Sequence, residues 1–159
     1  MTGVDLQAIL TRVIDPGLAL LPAPLTSDPA RIYLLAIGLQ ESGFIHRRQY
    51  PSGPARGFWQ FEPTGVTGVR THPTSRFWLS HLCKLHGIPF ETRAIHSLLW
   101  HNDPFAAAVA RLLLFTDPRP FPLDAQLAYL YYRRLWRPGK PRPKAWPANW
   151  AQAYLTVRT

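Results

Sequence analysis

One segment must lie at the centre of any fold this chain adopts. Asp28-Pro29 is a helix start, since an aspartate caps free N–H groups and proline is tolerated in the first turn. Ile32, Leu34, Leu35, Ala36, Ile37 and Leu39 then cover most of the helix circumference. A helix apolar almost all round is buried rather than laid on a surface. Gly43 marks its end, because glycine takes the left-handed cap conformation freely. Glu41 therefore falls in the last turn, where two effects act in one direction. The negative end of the helix dipole disfavours a carboxylate, and apolar surroundings favour the neutral form. A carboxylic acid held protonated near neutral pH suits general-acid attack on a glycosidic bond. The plain alternative is an exposed glutamate at a frayed helix end, and Glu41 alone does not decide between them.

The remaining segments read as shorter helices. Leu6, Ile9, Leu10 and Val13 recur at helical spacing, and Asp15-Pro16-Gly17 is expected to end that first helix. Phe77 to Leu85 and Phe90 to Trp100 flank Gly87-Ile88-Pro89. Asp103-Pro104 repeats the cap-and-proline start ahead of the apolar run from Phe105 to Leu114. Asp124 caps a helix that reaches Trp136 and stops at Pro138-Gly139, and Trp150, Tyr154 and Val157 form a last stripe behind Pro147. Between Phe44 and Gly68, glycines and prolines mix with polar residues, which predicts an irregular segment or a small hairpin. Arg137-Pro-Gly-Lys-Pro-Arg-Pro-Lys144 reads as a basic, extended, exposed loop. The expected architecture is mainly α, about seven helices around one irregular centre, in a single domain over residues 1–159.

Hydrophobic residues make up 47% and charged residues 17%, which fits globular order rather than disorder. No stretch reaches transmembrane length, and no basic lead with a continuous apolar run opens the chain, so synthesis in the cytoplasm without a signal peptide is the expectation. Cys83 stands alone, so no internal disulfide is expected and the thiol reads as a small buried side chain. A formal net charge of +9 favours polyanionic partners: nucleic acid, anionic membrane lipid or an acidic wall polymer. Against nucleic acid, the positive residues are dispersed and no recognisable binding helix or motif is present. No metal or other cofactor is expected. His81/His86 and His96/His101 are each five apart, so each pair diverges around a helix, and no His-Glu-x-x-His pattern occurs. A monomer is the default expectation.

Sixteen residues beyond Glu41-Ser42 comes Gly57-Phe58-Trp59-Gln60. This pairing resembles the signature of the lysozyme-like lytic transglycosylase superfamily: a Glu-Ser pair at a helix end, then a Gly-Leu-Met-Gln type turn. Here Phe58-Trp59 replaces Leu-Met. Asn102-Asp103-Pro104 through Leu114 is similar to the core helix that follows in that family. Ala128-Tyr129 or Tyr131-Tyr132 stands for its Ala-Tyr-Asn segment. The resemblance covers residues 29 to 157, most of the chain. Compact members of this kind look like phage endolysins. The resemblance implies a lysozyme-like α(+β) domain that cleaves the MurNAc-GlcNAc β-1,4 bond of peptidoglycan glycan strands. It further implies a protein made in the host cytoplasm that acts at the wall.

On that resemblance, Glu41 protonates the glycosidic oxygen and then takes the proton of the sugar's own C6 hydroxyl as the 1,6-anhydro ring closes. Such a route needs one carboxyl group where most hydrolases need a pair. Ser42 either orients the acid or is a helix-terminal polar residue. Gln60 both donates and accepts, which suits N-acetyl groups, or else it stabilises its own turn. Trp59 and Phe61 either stack on sugar faces or sit in the core. Tyr129 and Tyr132, three apart on a helix, share a face, and one of them or Tyr131 corresponds to the family tyrosine near the acid. The chain departs from the family here, with Leu130 or Arg133 where it has asparagine. Glu62 is the candidate second carboxylate. Across the cleft it would make the enzyme a hydrolysing muramidase; otherwise it is a solvated charge before Pro63. A third reading is a basic module that binds nucleic acid or wall without catalysis.

Overall fold

The structure, a computed structural model, describes residues 3–159 and is mainly helical, with no strand among them. Leu6–Ile9 (α1), a π-helical turn over Leu10–Ile14 and Asp15–Leu18 (α2) run on as one helix. Then come Asp28–Glu41 (α3), Pro63–Thr71 (α4), Arg76–Leu85 (α5), Thr92–His101 (α6), Asp103–Phe115 (α7), Ala125–Trp136 (α8) and Trp146–Arg158 (α9). No described helix is long and apolar enough to cross a membrane.

The apolar segment is the axis of the molecule. Ala30 and every residue from Ile32 to Ile37 are at most 1% exposed. α9 packs along α3 more extensively than any other helix does, and α7 meets it from another side. α7 is itself buried from Phe105 to Leu112, and it collects α2, α4, α5 and α6 around it. The two buried helices leave the C-terminal end of α3 facing α8 and the irregular segment. That placement is what creates a site.

Two proline starts work differently from the expectation. Ser27, not Asp28, caps α3: its Oγ accepts from the Ala30 N–H at 3.1 Å. Asn102, not Asp103, caps α7 through Oδ1 and the Phe105 N–H at 2.9 Å. The displaced aspartates sit in the first turn, where the helix dipole favours them, and pair with Arg31 and Arg47 at 3.0 and 2.8 Å. Asp124 does cap α8, accepting from Leu127.

Asp15-Pro16-Gly17 does not end the first helix. A proline inside a helix clashes with the carbonyl four residues back. The π turn just before Pro16 widens the helix there, with the Asp15 N–H bonded to Leu10 O, and the chain runs on to Leu18.

The irregular segment is shorter than expected and forms no hairpin among the described residues. It holds two isolated bridges, Arg48 to Arg56 and Arg56 to Phe61, and it ends at Glu62. Pro63 then opens α4, despite Gly65 and Gly68, because Val66 and Val69 bury one face completely. The final helix likewise starts at Trp146, ahead of the predicted stripe.

Candidate active site

α3 ends at Glu41 because the backbone turns left-handed twice in succession, at Gly43 (φ 66°) and Phe44 (φ 57°). The Gly43 N–H bonds back to the carbonyls of Gly38 and Leu39 at 3.0 and 3.1 Å, a helix-closing pattern. The turn throws the Phe44 ring back across Gly38, where a β-carbon would come within 2.1 Å of it. Glycine at position 38 therefore makes room for the sharp exit that leaves Glu41 at the helix edge.

Glu41 is partly buried, and the Tyr132 hydroxyl of α8 donates to its Oε1 at 3.0 Å. Burial pushes the carboxyl up to about 7, against an ordinary 4.5. The Tyr132 hydrogen bond and the positive charge of Arg142 pull it back, and the negative charge of Glu62 adds a smaller push upward. Desolvation wins, so near neutral pH the group divides between acid and base forms.

Tyr132 is held rigidly. Its ring stacks on Trp146 at 5.1 Å with 8° between planes, and Trp146 fixes itself by donating Nε1–H to Ala125 O at 2.8 Å. Tyr129 packs against the same pair of rings, and its hydroxyl is the one buried side-chain polar atom without a partner among the described residues. Tyr131 points elsewhere: it is 2% exposed and donates to Leu114 O at 3.3 Å. Of the three tyrosines, Tyr132 is the one that touches the acid.

The Gly57 to Gln60 turn is latched to the end of α3. Ser42 Oγ donates to Phe58 O at 2.6 Å and accepts from the Phe44 N–H at 3.1 Å. It makes no hydrogen bond to Glu41, so it joins the two motifs rather than orienting the acid directly. Gly57 (φ 79°) lies so close to α6 that a β-carbon would meet Leu99 O at 2.8 Å. Gln60 takes a left-handed conformation (φ 52°) and donates Nε2–H to Gly57 O at 2.9 Å, closing its own turn. Gln60 also lines the neighbouring cleft.

Trp59 is core, not a sugar platform. It is fully buried, and its Nε1–H bonds to Leu34 O of α3 at 2.9 Å. Phe61, only 3% exposed, borders the cleft, and its ring lies 5.9 Å from that of Trp136. Trp136 in turn donates Nε1–H to Trp59 O at 2.9 Å.

The cleft, about 410 Å³, opens beside this turn between α4 and α8, with Gln60, Glu62, His72, Trp136 and Arg137 in its walls. Glu41 does not line it. The link is made by Trp136, whose ring lies 6.1 Å from that of Tyr132, and by Glu62, whose charge is felt at Glu41. Glu62 is exposed at the start of α4 and caps no N–H with its side chain.

Four side chains without a local signature complete the site. Gln40, 3% exposed, accepts from Asn149 Nδ2 at 2.8 Å and donates to Arg142 O at 2.9 Å. Arg142 donates to Gln40 O and brings its charge to Glu41. The basic loop is thus exposed, as expected, but riveted to the end of α3, with one of its cations turned toward the acid. His96 of α6 holds the irregular segment: its Nε2 lies 2.8 Å from Pro54 O and 3.1 Å from Phe61 O. Both partners are acceptors, so Nε2 carries the hydrogen.

Comparison with protein-family models, with curated proteins and with solved structures finds no match for this chain.

Proposed function

We propose that the protein is a peptidoglycan-cleaving enzyme of lysozyme-like fold, a lytic transglycosylase of the endolysin type, with Glu41 as its acid and base. The observation that carries this reading is a single carboxyl at the end of the central helix, bonded to Tyr132 and raised by burial to about 7. A group so poised donates a proton readily and takes one back readily near neutral pH. The protonated Glu41 gives its proton to the oxygen linking MurNAc to GlcNAc, and that C1–O bond breaks. The C6 hydroxyl oxygen of the same MurNAc then bonds to C1, and its proton returns to Glu41. No water is consumed, and the acid is regenerated. Tyr132 keeps the carboxyl aimed through both transfers. The cleft beside Gln60 and Trp136 offers hydrogen-bonding and apolar walls to an extended glycan.

A muramidase on the same scaffold is the second reading, favoured by one observation: Glu62 borders the cleft and its charge reaches Glu41. There Glu62 would act on a water, or on the sugar itself, from across the bond. The net charge of +9 suits delivery to an anionic wall in either case.

The test is turbidity loss of purified cell walls with wild-type protein and Glu41→Gln. The variant is expected to fold, to sediment with the walls and to clear them about a hundred- to ten-thousandfold more slowly, the scale of losing general-acid help. Clearing by the variant at the wild-type rate would overturn the assignment of Glu41.

A further inference from the structure

A second cavity, about 590 Å³, adjoins the cleft, and His72 and Thr116 belong to the walls of both. In its wall lies Arg111 of α7, only 7% exposed. The Arg111 Nε–H donates to Leu25 O at 2.8 Å, and the guanidinium lies over the Phe121 ring, 5.1 Å from its centre. Among the described residues no carboxylate pairs with it. Asp117, the acid of that wall, is already held by Arg119 at 3.1 Å and Arg134 at 2.7 Å. The two terminal nitrogens of Arg111 make no hydrogen bond among the described residues. They are not sealed in either, since Tyr129 alone has a buried, unpartnered side-chain polar atom. Arg111 is one of the residues that line the cavity, so the cavity is the space beside these N–H groups.

Burial lowers this guanidinium to about 10, so it is still fully charged at neutral pH. A buried cation without a counter-ion is costly, and the cost is relieved by an anion that fills the fork. The planar fork fits the two oxygens of a carboxylate, and Phe121, Phe115 and Pro118 supply apolar surface for whatever carries it. The space exceeds what a bare ion needs.

We propose that this cavity binds a carboxylate-bearing ligand through two-point contact with Arg111. On the reading of the adjoining cleft as a glycan site, on which this identification rests, the carboxylate is the free end of a peptide side chain carried by the polymer. A free small anion is the other source of the same chemistry.

Calorimetric titration of the whole protein separates these outcomes. The titrants are an N-acetylated alanyl-alanine with a free C-terminus, its C-terminal amide, acetate and inorganic phosphate. The dipeptide acid is expected to bind, with the amide and acetate each at least about tenfold weaker. Arg111→Lys, which keeps the charge but not the fork, is expected to lose at least about tenfold for the acid alone. Equal binding of acid and amide, no binding at millimolar acid, or an unaffected Arg111→Lys would overturn the proposal, and tighter binding of acetate or phosphate than of the acid would overturn the identification of the ligand as a peptide end. The acid–amide comparison needs no variant, so a misfolded Arg111→Lys leaves the test standing. Nothing in the titration passes through wall lysis, so its failure leaves the role of Glu41 untouched.

Discussion

Replacing Glu41 by Gln should stabilise the protein, and only above mildly acidic pH. A carboxyl whose value rises from 4.5 to about 7 on folding holds its proton more tightly in the folded state. Below pH 4.5 both states are protonated, and burial of Glu41 costs nothing extra. Between pH 4.5 and about 7 the unfolded chain ionises first, so folding must forgo that ionisation and stability falls as pH rises. Above about 7 the loss is complete and constant. At about 1.4 kcal/mol per pH unit, the full difference corresponds to about 3 kcal/mol. Solvent reaching the partly exposed carboxyl screens some of this, so we expect about 1–3 kcal/mol. Glutamine keeps the acceptor for the Tyr132 hydroxyl and has nothing to ionise. Thermal unfolding of the two proteins from pH 4 to 8 measures it directly. The variant should match the wild type at pH 4 and exceed it by about 2–10 °C at pH 8. Taking the difference between two proteins cancels every other titrating group. A gap independent of pH, or a wild type that gains on the variant as pH rises, would show that burial does not raise Glu41 and would refute the reasoning.

The neighbours of Glu41 should move the pH profile of wall clearing in predictable directions. Tyr132→Phe removes the hydrogen bond that pulls Glu41 down, so the alkaline limb, set near pH 7 by the acid form, should shift to higher pH. Glu62→Gln removes a negative charge and should shift that limb slightly lower while leaving clearing intact; abolished clearing would instead support the muramidase reading. Tyr129→Phe deletes a hydroxyl that has no partner and should be neutral or stabilise by up to about 1 kcal/mol in chemical denaturation. Gly38→Ala drives a methyl into the Phe44 ring and should destabilise by about 1–3 kcal/mol, measured the same way.

Where sequence reading worked, a strong local pattern was at hand. The segment from Ile32 to Leu39 is apolar on every side, so its burial and the place of Glu41 in its last turn were legible without any partner. The caps were ambiguous because Ser27-Asp28-Pro29 and Asn102-Asp103-Pro104 each offer two adjacent capping side chains. The proline is accommodated one or two positions into the helix, Ser27 and Asn102 take the caps, and the aspartates pair with Arg31 and Arg47 instead. α4 was hidden because glycine and threonine lower its intrinsic helicity, and only the packing of Val66 and Val69 rewards it.

In the site, Tyr129 and Tyr132 share one helix face, so the sequence could not separate them. The stack on Trp146 and the rotation of α8 make the choice. Trp59 is turned inward by the backbone around Gln60, whose positive φ no alternation rule anticipates. Gln40, Arg142 and Asn149 meet across more than a hundred residues, and a contact of that range leaves no spacing to read.

The most direct test is mass spectrometry of the soluble fragments released from purified peptidoglycan. Single-carboxyl cleavage by Glu41 predicts fragments ending in 1,6-anhydro-MurNAc, one water lighter than hydrolysed ones, and none from Glu41→Gln. Reducing-end products would contradict the transglycosylase account and turn attention to Glu62, and the absence of any released glycan from the wild type would contradict the enzymatic account altogether.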